Sequence, residues 1–170
     1  MRSNSGGRFG NHYLLKSTNE AAVAQEFGTG KINSVDINKE RLCFASSFAA
    51  TGAYRSDPAL SAQENASKII DTHQLSAGAD VVIEASGAEP SVQTGIHILR
   101  KGGGYVQVGL GRPEIQFLIM AMCEKELNMK GCFRYGPGDF ELAVDLLRRK
   151  RIDVKRLITK EVNFEQATEA

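Results

Sequence analysis

The segment DVVIEA, residues 80–85, decides the fold class of this 170-residue chain. Its apolar residues form a short, nearly continuous run that a Ser-Gly turn follows, which is typical of a strand covered on both faces. A helical pattern then covers about residues 90–99, and a second strand-like run, YVQVG, occupies residues 105–109. A strand, a helix and a strand in this order predict parallel strands joined by helical crossovers.

The same alternation continues on both sides of this segment. Ser61 and Glu64 have the spacing of a capping box, which predicts the start of a helix. We therefore predict an α/β fold, a Rossmann-type doubly wound parallel sheet. The other predicted strands lie at 31–37, 115–119, 127–131 and 157–162, and the other predicted helices at 17–27, 39–49, 61–73, 139–149 and from 164 onward.

The first 18 residues do not fit this alternation. They contain few apolar side chains, so we expect residues 1–18 to form an irregular, disordered tail. A dinucleotide fold needs a glycine turn between its first strand and first helix, and here Gly6, Gly7 and Gly10 follow no predicted strand. The first strand and its glycine loop are therefore expected to be missing or altered, and residues 19–170 to form an incomplete dinucleotide-binding domain.

Asp36 stands at the end of the strand predicted at 31–37. A carboxylate at such a strand end can accept hydrogen bonds from the ribose hydroxyls of an adenosine cofactor, and it repels a 2′-phosphate. The position therefore favours NAD over NADP. The alternative is an ordinary exposed aspartate at a strand end.

Composition excludes several classes of partner. The formal net charge is +1, so no strong field attracts nucleic acid. No stretch approaches the ~20 apolar residues of a membrane span, and no signal peptide is recognisable, so we expect a cytoplasmic protein. The three cysteines, Cys43, Cys123 and Cys132, lack zinc-ligand spacing and predict buried free thiols rather than a metal site.

Several long segments carry a family resemblance. The segments VDINKERL (35–42), ADVVIEASGAEPSVQTGIHILRKGG (79–103), YVQVGLG (105–111) and IMAMCEKELNMKGCFRYGPGDFELAVDLL (119–147) are similar to the C-terminal cofactor domain of zinc-dependent medium-chain polyol dehydrogenases, such as the fungal xylitol, sorbitol and L-arabinitol dehydrogenases. The segment VKRLITKEVNFEQATEA (154–170) shares this resemblance. A methyltransferase of similar fold would share Asp36 but would not explain residues 133–147.

The resemblance implies NAD as cofactor and a polyol as substrate, and it implies roles for individual residues. Arg134 and Tyr135 would reach the substrate. The residues implied in cofactor binding are Asp36, Arg41, Ser86, Gly87, Val108, Gly109, Leu110, Phe133 and Arg134. Simpler interpretations remain open: Arg41 as a solvated helix residue, Val108 and Leu110 as core residues, and Arg134 as a surface cation stacked on an aromatic ring.

The sequence also departs from the family. An N-terminal domain supplies the catalytic zinc ligands of these enzymes, and this chain contains no counterpart, so we expect neither catalytic nor metal-binding residues. NAD is the expected cofactor, weak or lost NAD binding is the alternative that an altered glycine loop leaves open, and the chain alone is expected to be inactive as a dehydrogenase. Two alternatives follow. One is a non-catalytic fragment that docks on a full-length relative or on its own copy through residues 115–131. The other is the product of a decayed or incorrectly assembled gene.

Overall fold

The computed structural model describes residues 12–15, 18–158 and 160–169. The chain divides into two compact units, the first ending at Phe133 and the second beginning at Arg134. The first unit contains the strands β1 His12–Leu15, β2 Lys31–Asp36, β3 Gly52–Arg55, β4 Ala79–Glu84, β5 Leu99–Gln107 and β6 Asn128–Gly131, and the helices α1 Thr18–Glu26, α2 Lys39–Phe48, α3 Ala62–His73, α4 Glu89–Ile98 and α5 Ile119–Glu124.

The six strands form one sheet in the order β3-β2-β1-β4-β5-β6, and every neighbouring pair is parallel. This order places the first strand at the centre and continues outward from it in both directions. Such a sheet is doubly wound, so the predicted Rossmann-type α/β fold is confirmed.

Strand β1 corrects the expectation for the first 18 residues. It lies between β2 and β4, where Tyr13 pairs with both Ile32 and Val81. The four-residue strand is too short to show a strand pattern of its own, and hydrogen bonds from two neighbouring strands stabilise it. The expected irregular tail was therefore wrong for residues 12–15. The glycines at 6, 7 and 10, and residue 17, where the first predicted helix was expected to begin, lie outside the described residues.

The core lies on both faces of the sheet. On one face, Ile69 of α3 and Ile96 of α4 pack with Val82 of β4 and Tyr105 of β5. On the other face, alanines of α1 pack against Ile32 of β2. Burial on both faces explains why the strands read as continuous apolar runs in the sequence.

The capping box predicted at Ser61 is present. The backbone N–H of Ser61 donates to Glu64 Oε2 at 2.8 Å, and the N–H of Glu64 donates to Ser61 Oγ at 3.2 Å. Hydrogen bonds from Ser61 lower the pKa of Glu64. Helix α3 therefore begins where the sequence predicted it.

Lys125 joins α5 to the end of α4. Its Nζ donates to the carbonyl oxygens of Ile96, His97 and Leu99 at 3.0, 2.7 and 2.8 Å. A cation is favourable there because the last carbonyls of a helix carry partial negative charge. Burial lowers the pKa of Lys125.

Several local predictions were wrong. Residues 115–119 are not a strand, because 115–118 form a loop and α5 begins at Ile119, and residues 157–162 are not a strand where the structure describes them. Strand β3 and helix α5 were not predicted, because four to six residues are too few for a clear pattern. Cys43, Cys123 and Cys132 are free but exposed, not buried. Across the described part of the chain, no helix is long and apolar enough to cross a membrane.

The second unit contains α6, Asp139–Arg148, and the 3-10 helices Val154–Leu157 and Phe164–Glu169. Helix α6 confirms the prediction at 139–149. Asp145 pairs with Arg148 at 3.1 Å and with Arg149 at 2.8 Å in its last turn, where basic residues also suit the helix dipole. The carboxylate of Asp145 therefore partly neutralises the run of basic residues RRKR at 148–151.

Candidate functional site

The carboxyl ends of the parallel strands in the first unit are the natural place for a ligand. In open α/β sheets, ligands bind outside these ends, in the crevice where the strand order reverses. Here that crevice lies between β1 and its neighbour β4. The predicted cofactor residues of this unit follow these strand ends, except Asp36, which is the last residue of β2, and Arg41, which lies in α2.

Asp36 is held in a defined orientation at the end of β2. Its Oδ1 accepts a hydrogen bond from the N–H of Asn38 at 2.8 Å. The Asn38 side chain in turn caps α2 by accepting from the N–H groups of Glu40 and Arg41 at 2.7 and 3.2 Å. The Asp36 side chain is 18% exposed, so one face of the carboxylate still reaches solvent. A buried strand end and a helix cap together orient this carboxylate for a hydroxyl-bearing ligand.

Two arginines lie near Asp36. Arg41 Nη1 is 3.9 Å from Asp36 Oδ2, and its side chain is 75% exposed, so this ion pair is long and weak. Arg55, at the end of β3, donates from Nε to the carbonyl oxygen of Ile37 at 3.1 Å. Sequence reasoning missed Arg55 because β3 itself has no recognisable pattern. The structure thus places Arg41 and a second cation, Arg55, near Asp36; the roles predicted for Asp36 and Arg41 toward the cofactor stay predictions.

Glu84, which the sequence analysis did not select, is the most connected residue of the site. It ends β4 and is 0% exposed. Its Oε1 accepts from the N–H of Ser86 at 3.0 Å and from the hydroxyls of Ser86 and Ser91. Its Oε2 accepts from the N–H of Gly87 and from Gln107 Nε2, at 2.7 and 2.8 Å. Burial by itself would raise the pKa of Glu84, but these hydrogen bonds outweigh it and hold the pKa below its ordinary value.

Gln107 extends this network to the loop after β5. The amide that donates to Glu84 also donates to the carbonyl oxygen of Gly109 at 2.7 Å, and its oxygen accepts from the Tyr105 hydroxyl at 2.7 Å. The N–H groups of Val108 and Gly109 donate to the backbone oxygen of Glu84 at 2.8 and 2.9 Å. One buried carboxylate therefore links the loops that follow β4 and β5.

These two loops touch through glycines. Gly87 has a backbone φ of +70°, which residues other than glycine rarely adopt. A Cβ on Gly109 would lie 2.5 Å from the carbonyl carbon of Ala85 and 2.6 Å from the nitrogen of Ser86. A Cβ on Gly111 would lie 2.6 Å from the carbonyl carbon of Gly87. Backbone therefore packs directly on backbone, and glycine at these positions is what lets the two loops approach so closely.

A cavity of about 480 Å³ opens beside the glycine contact. Its size suits a small molecule or one part of a cofactor. Val92 and Tyr105 are buried in its wall, and the cations Arg112 and Lys130 lie at exposed positions around it. The remaining lining residues are Gly87, Gln107, Gly109, Leu110, Gly111, Pro113, Ile115, Phe117, Met129 and Gly131.

The other predicted residues are exposed to different degrees. Val108 is half-buried, Leu110 is 79% exposed, and Phe133, at the end of the first unit, is 73% exposed. Neither Val108 nor Leu110 is a core residue, so that alternative was wrong. In the second unit, the Tyr135 ring packs edge-on against Phe140 with centroids 4.5 Å apart, and Arg134 has a φ of +58°. The roles predicted for Phe133, Arg134 and Tyr135 toward cofactor and substrate stay predictions.

The described residues contain no group of three or more His, Cys, Asp or Glu side chains that could hold a metal ion. The acidic residues of the site instead accept hydrogen bonds from backbone and hydroxyl donors.

Comparison with known proteins places this geometry in a family. A sequence profile described as zinc-binding dehydrogenase matches residues 19–149. The chain is 56% identical over 149 residues to D-xylulose reductase A of Aspergillus oryzae and 57% identical over 150 residues to D-xylulose reductase A of Aspergillus niger. Each match covers 88% of this chain and 41% of the relative, so the chain spans well under half the length of these curated relatives.

Solved structures agree on the fold. An alcohol dehydrogenase from Thermotoga maritima superposes with a TM-score of 0.81 at 20% identity, over 98% of this chain and 48% of that protein. The 2R,3R-butanediol dehydrogenase of Bacillus subtilis gives 0.80 at 19% identity, over 98% and 47%. A protein from Sinorhizobium meliloti that is described as a zinc-binding dehydrogenase bound to NADP gives 0.80 at 19% identity, over 97% and 49%.

Proposed function

The chain belongs to the zinc-binding dehydrogenase family, and from this premise we propose that its first unit binds the NAD of a polyol dehydrogenase. In such an enzyme a hydride passes between a polyol carbon and the nicotinamide ring, which interconverts the polyol and its ketose. The D-xylulose reductases at 56–57% identity support a five-carbon substrate of this kind. The role proposed for the first unit is confined to the dinucleotide.

The observation that carries this proposal is the Asp36 carboxylate at the end of β2, beside the central strand. Its orientation by Asn38 and its partial exposure suit a ribose that offers two hydroxyl groups. A 2′-phosphate would meet the negative charge of Asp36, which supports NAD rather than NADP. Arg41 would then lie beside the adenine.

The contact between the loops after β4 and β5 supports the proposal that the nicotinamide end of the cofactor binds beside these loops. The absence of Cβ atoms at Gly87 and Gly109 lets the two loops pack against each other, and we propose that the nicotinamide ring lies beside this contact, with Ser86, Val108 and Leu110 around it. When bound, the cofactor supplies the hydride chemistry, and the protein orients the ring and excludes water from it. From the family resemblance, Phe133 and Arg134 are also proposed to bind the cofactor, and Arg134 and Tyr135 to contact the substrate.

Replacing Asp36 with serine is expected to weaken NADH binding about tenfold, because hydrogen bonds to a charged acceptor are lost. NADPH binding is expected to rise at the same time, because the repulsion of its 2′-phosphate is removed. Both dissociation constants can be measured by the fluorescence of the reduced nicotinamide on titration of the full chain.

Asp71→Ser is the matched control, because Asp71 is an exposed carboxylate in α3 away from the strand ends. This variant should bind both dinucleotides as the unaltered chain does. Equal affinity of the unaltered chain for NADH and NADPH would contradict the proposed role of Asp36.

A specific surface favours a second candidate function, association with a like chain. Strand β6 is one of the two edge strands of the described sheet, and in helix α5, which precedes it, Ile119 and Met120 are 55% and 67% exposed. An outer strand and exposed apolar side chains together favour pairing with a second copy or with a full-length relative. The exposed free thiols agree with the cytoplasmic location that we propose for either function.

This second function predicts that the chain elutes from a size-exclusion column with a D-xylulose reductase or as its own dimer. Introducing lysine at both Ile119 and Met120 should abolish the association, because buried charge opposes an apolar interface. Elution of the chain as a monomer, alone and in the mixture, would exclude this function.

A further inference from the structure

We propose that Glu84 is a positioning residue, which sets the two glycine loops so that the nicotinamide end of the dinucleotide can bind. This inference rests on the proposed function and deepens it. The Glu84 side chain is fully buried and cannot touch a ligand, so it acts on the ligand only through the loops that it holds.

The first argument is the direction of the hydrogen bonds. Ser86 and Gly87 donate to Glu84 from the loop after β4, and Gln107 donates from the end of β5. Ser91 adds a donor from α4. An ionised carboxylate only accepts, and its two oxygens provide about four acceptor positions. No neutral side chain of this size could satisfy donors that converge on both of its oxygens.

The second argument is how closely the loops after β4 and β5 pack against each other at their glycines. Backbone atoms of the two loops already touch where Gly109 meets Ala85 and Ser86. Gln107 connects this point to Glu84 by donating to the carbonyl oxygen of Gly109. A small displacement of either loop would therefore open or close the surface that faces a ligand, and Glu84 fixes both loops at once.

Glu84→Gln tests this with almost no change of volume. In one orientation the amide oxygen of the variant still accepts from the serines, but its N–H₂ group faces the donors of Gly87 and Gln107. In the flipped orientation the N–H₂ group faces the serines instead. Donors then face donors, and the loops are expected to separate. Two ligands distinguish the effect: NADH, which uses the nicotinamide end, and ADP-ribose, which lacks the nicotinamide ring.

For Glu84→Gln we expect the dissociation constant of NADH to rise about tenfold and that of ADP-ribose to change by less than about twofold. Gln107→Met, which removes the connection between Glu84 and Gly109, should show the same selective loss and decides the question if Glu84→Gln does not fold. Glu64→Gln is the matched control, because it weakens the capping box of α3 and leaves the loops untouched.

The outcomes separate the inference from the proposed function. Equal losses of NADH and ADP-ribose affinity, or no loss of either, would overturn the positioning role while leaving dinucleotide binding intact. Failure of the unaltered chain to bind both ligands would overturn the proposed function, and the positioning role with it. A selective loss for NADH in both variants, absent from the control, would establish the role of Glu84.

Discussion

Gly109→Ala is expected to weaken NADH binding about thirtyfold, more than any other single change at the site. The added methyl group would lie 2.5 Å from the carbonyl carbon of Ala85 and 2.6 Å from the nitrogen of Ser86. These are backbone atoms, so a rotation of a side chain cannot relieve the overlap. Forcing an extra methyl group into a packed site costs about 2 kcal/mol, so the loops of the variant are expected to separate. Because we propose that NADH binds to the loops in their present contact, restoring this contact on binding would weaken affinity by the same amount, about thirtyfold. Titration with NADH measures the effect.

Gly104→Ala, in strand β5 just before this loop, provides the matched control. The nearest atom to a Cβ on Gly104 is a methyl carbon of Val81 at 3.7 Å, an ordinary contact. This variant should fold and bind NADH as the unaltered chain does. If Gly109→Ala bound NADH equally well, the close packing of the two loops would have no bearing on the cofactor.

Tyr105→Ala is expected to lower the free energy of unfolding by about 3–5 kcal/mol, the usual cost of deleting a buried aromatic side chain. Tyr105 is 1% exposed and packs against Val82 and the helices behind the sheet. A Cβ on Gly95 would lie 3.0 Å from its ring, so α4 sits closely on this side chain. A domain of this size has about 5–15 kcal/mol of stability, so much of it would be lost. Urea denaturation followed by circular dichroism measures the change.

Tyr105→Phe separates the ring from the hydroxyl. It keeps the packing and removes only the hydrogen bond to Gln107, so it should cost about 1 kcal/mol. If the alanine variant were no less stable than the phenylalanine variant, the core behind the sheet would not depend on this ring.

Most of the fold could be predicted because burial leaves a pattern in the sequence. Strand β4 is covered on both faces and reads as an apolar run, and α3 begins at a capping box whose two hydrogen bonds are both present. Strands β1 and β3 could not be predicted, because four residues carry too little pattern and neighbouring strands determine their structure. The cysteines were expected in the core because of their apolar sequence context, but helix faces and loops place all three at the surface.

The candidate site was predictable in part. Asp36 follows from a general rule about strand ends, whereas Ser86, Gly87 and Gly109 were implied by the family resemblance, and their positions after strand ends agree with the same rule. Glu84 could not be found in this way, because in the sequence it is one polar residue at the end of an apolar strand. Its importance arises from donors on Gln107 and elsewhere that only the folded chain brings to it.

The central position of β1 governs the order in which the sheet can assemble. Strand β2 pairs with β1 after a single helix, but the other edge of β1 pairs through Tyr13 with Val81, far along the chain. Contacts between such distant residues slow folding. While the ribosome is still making β4, the β1–β2 pair has an open edge on which another chain can form a strand. The rate at which the ribosome translates the segment up to Glu84 therefore sets how long the nascent protein is exposed to misassembly.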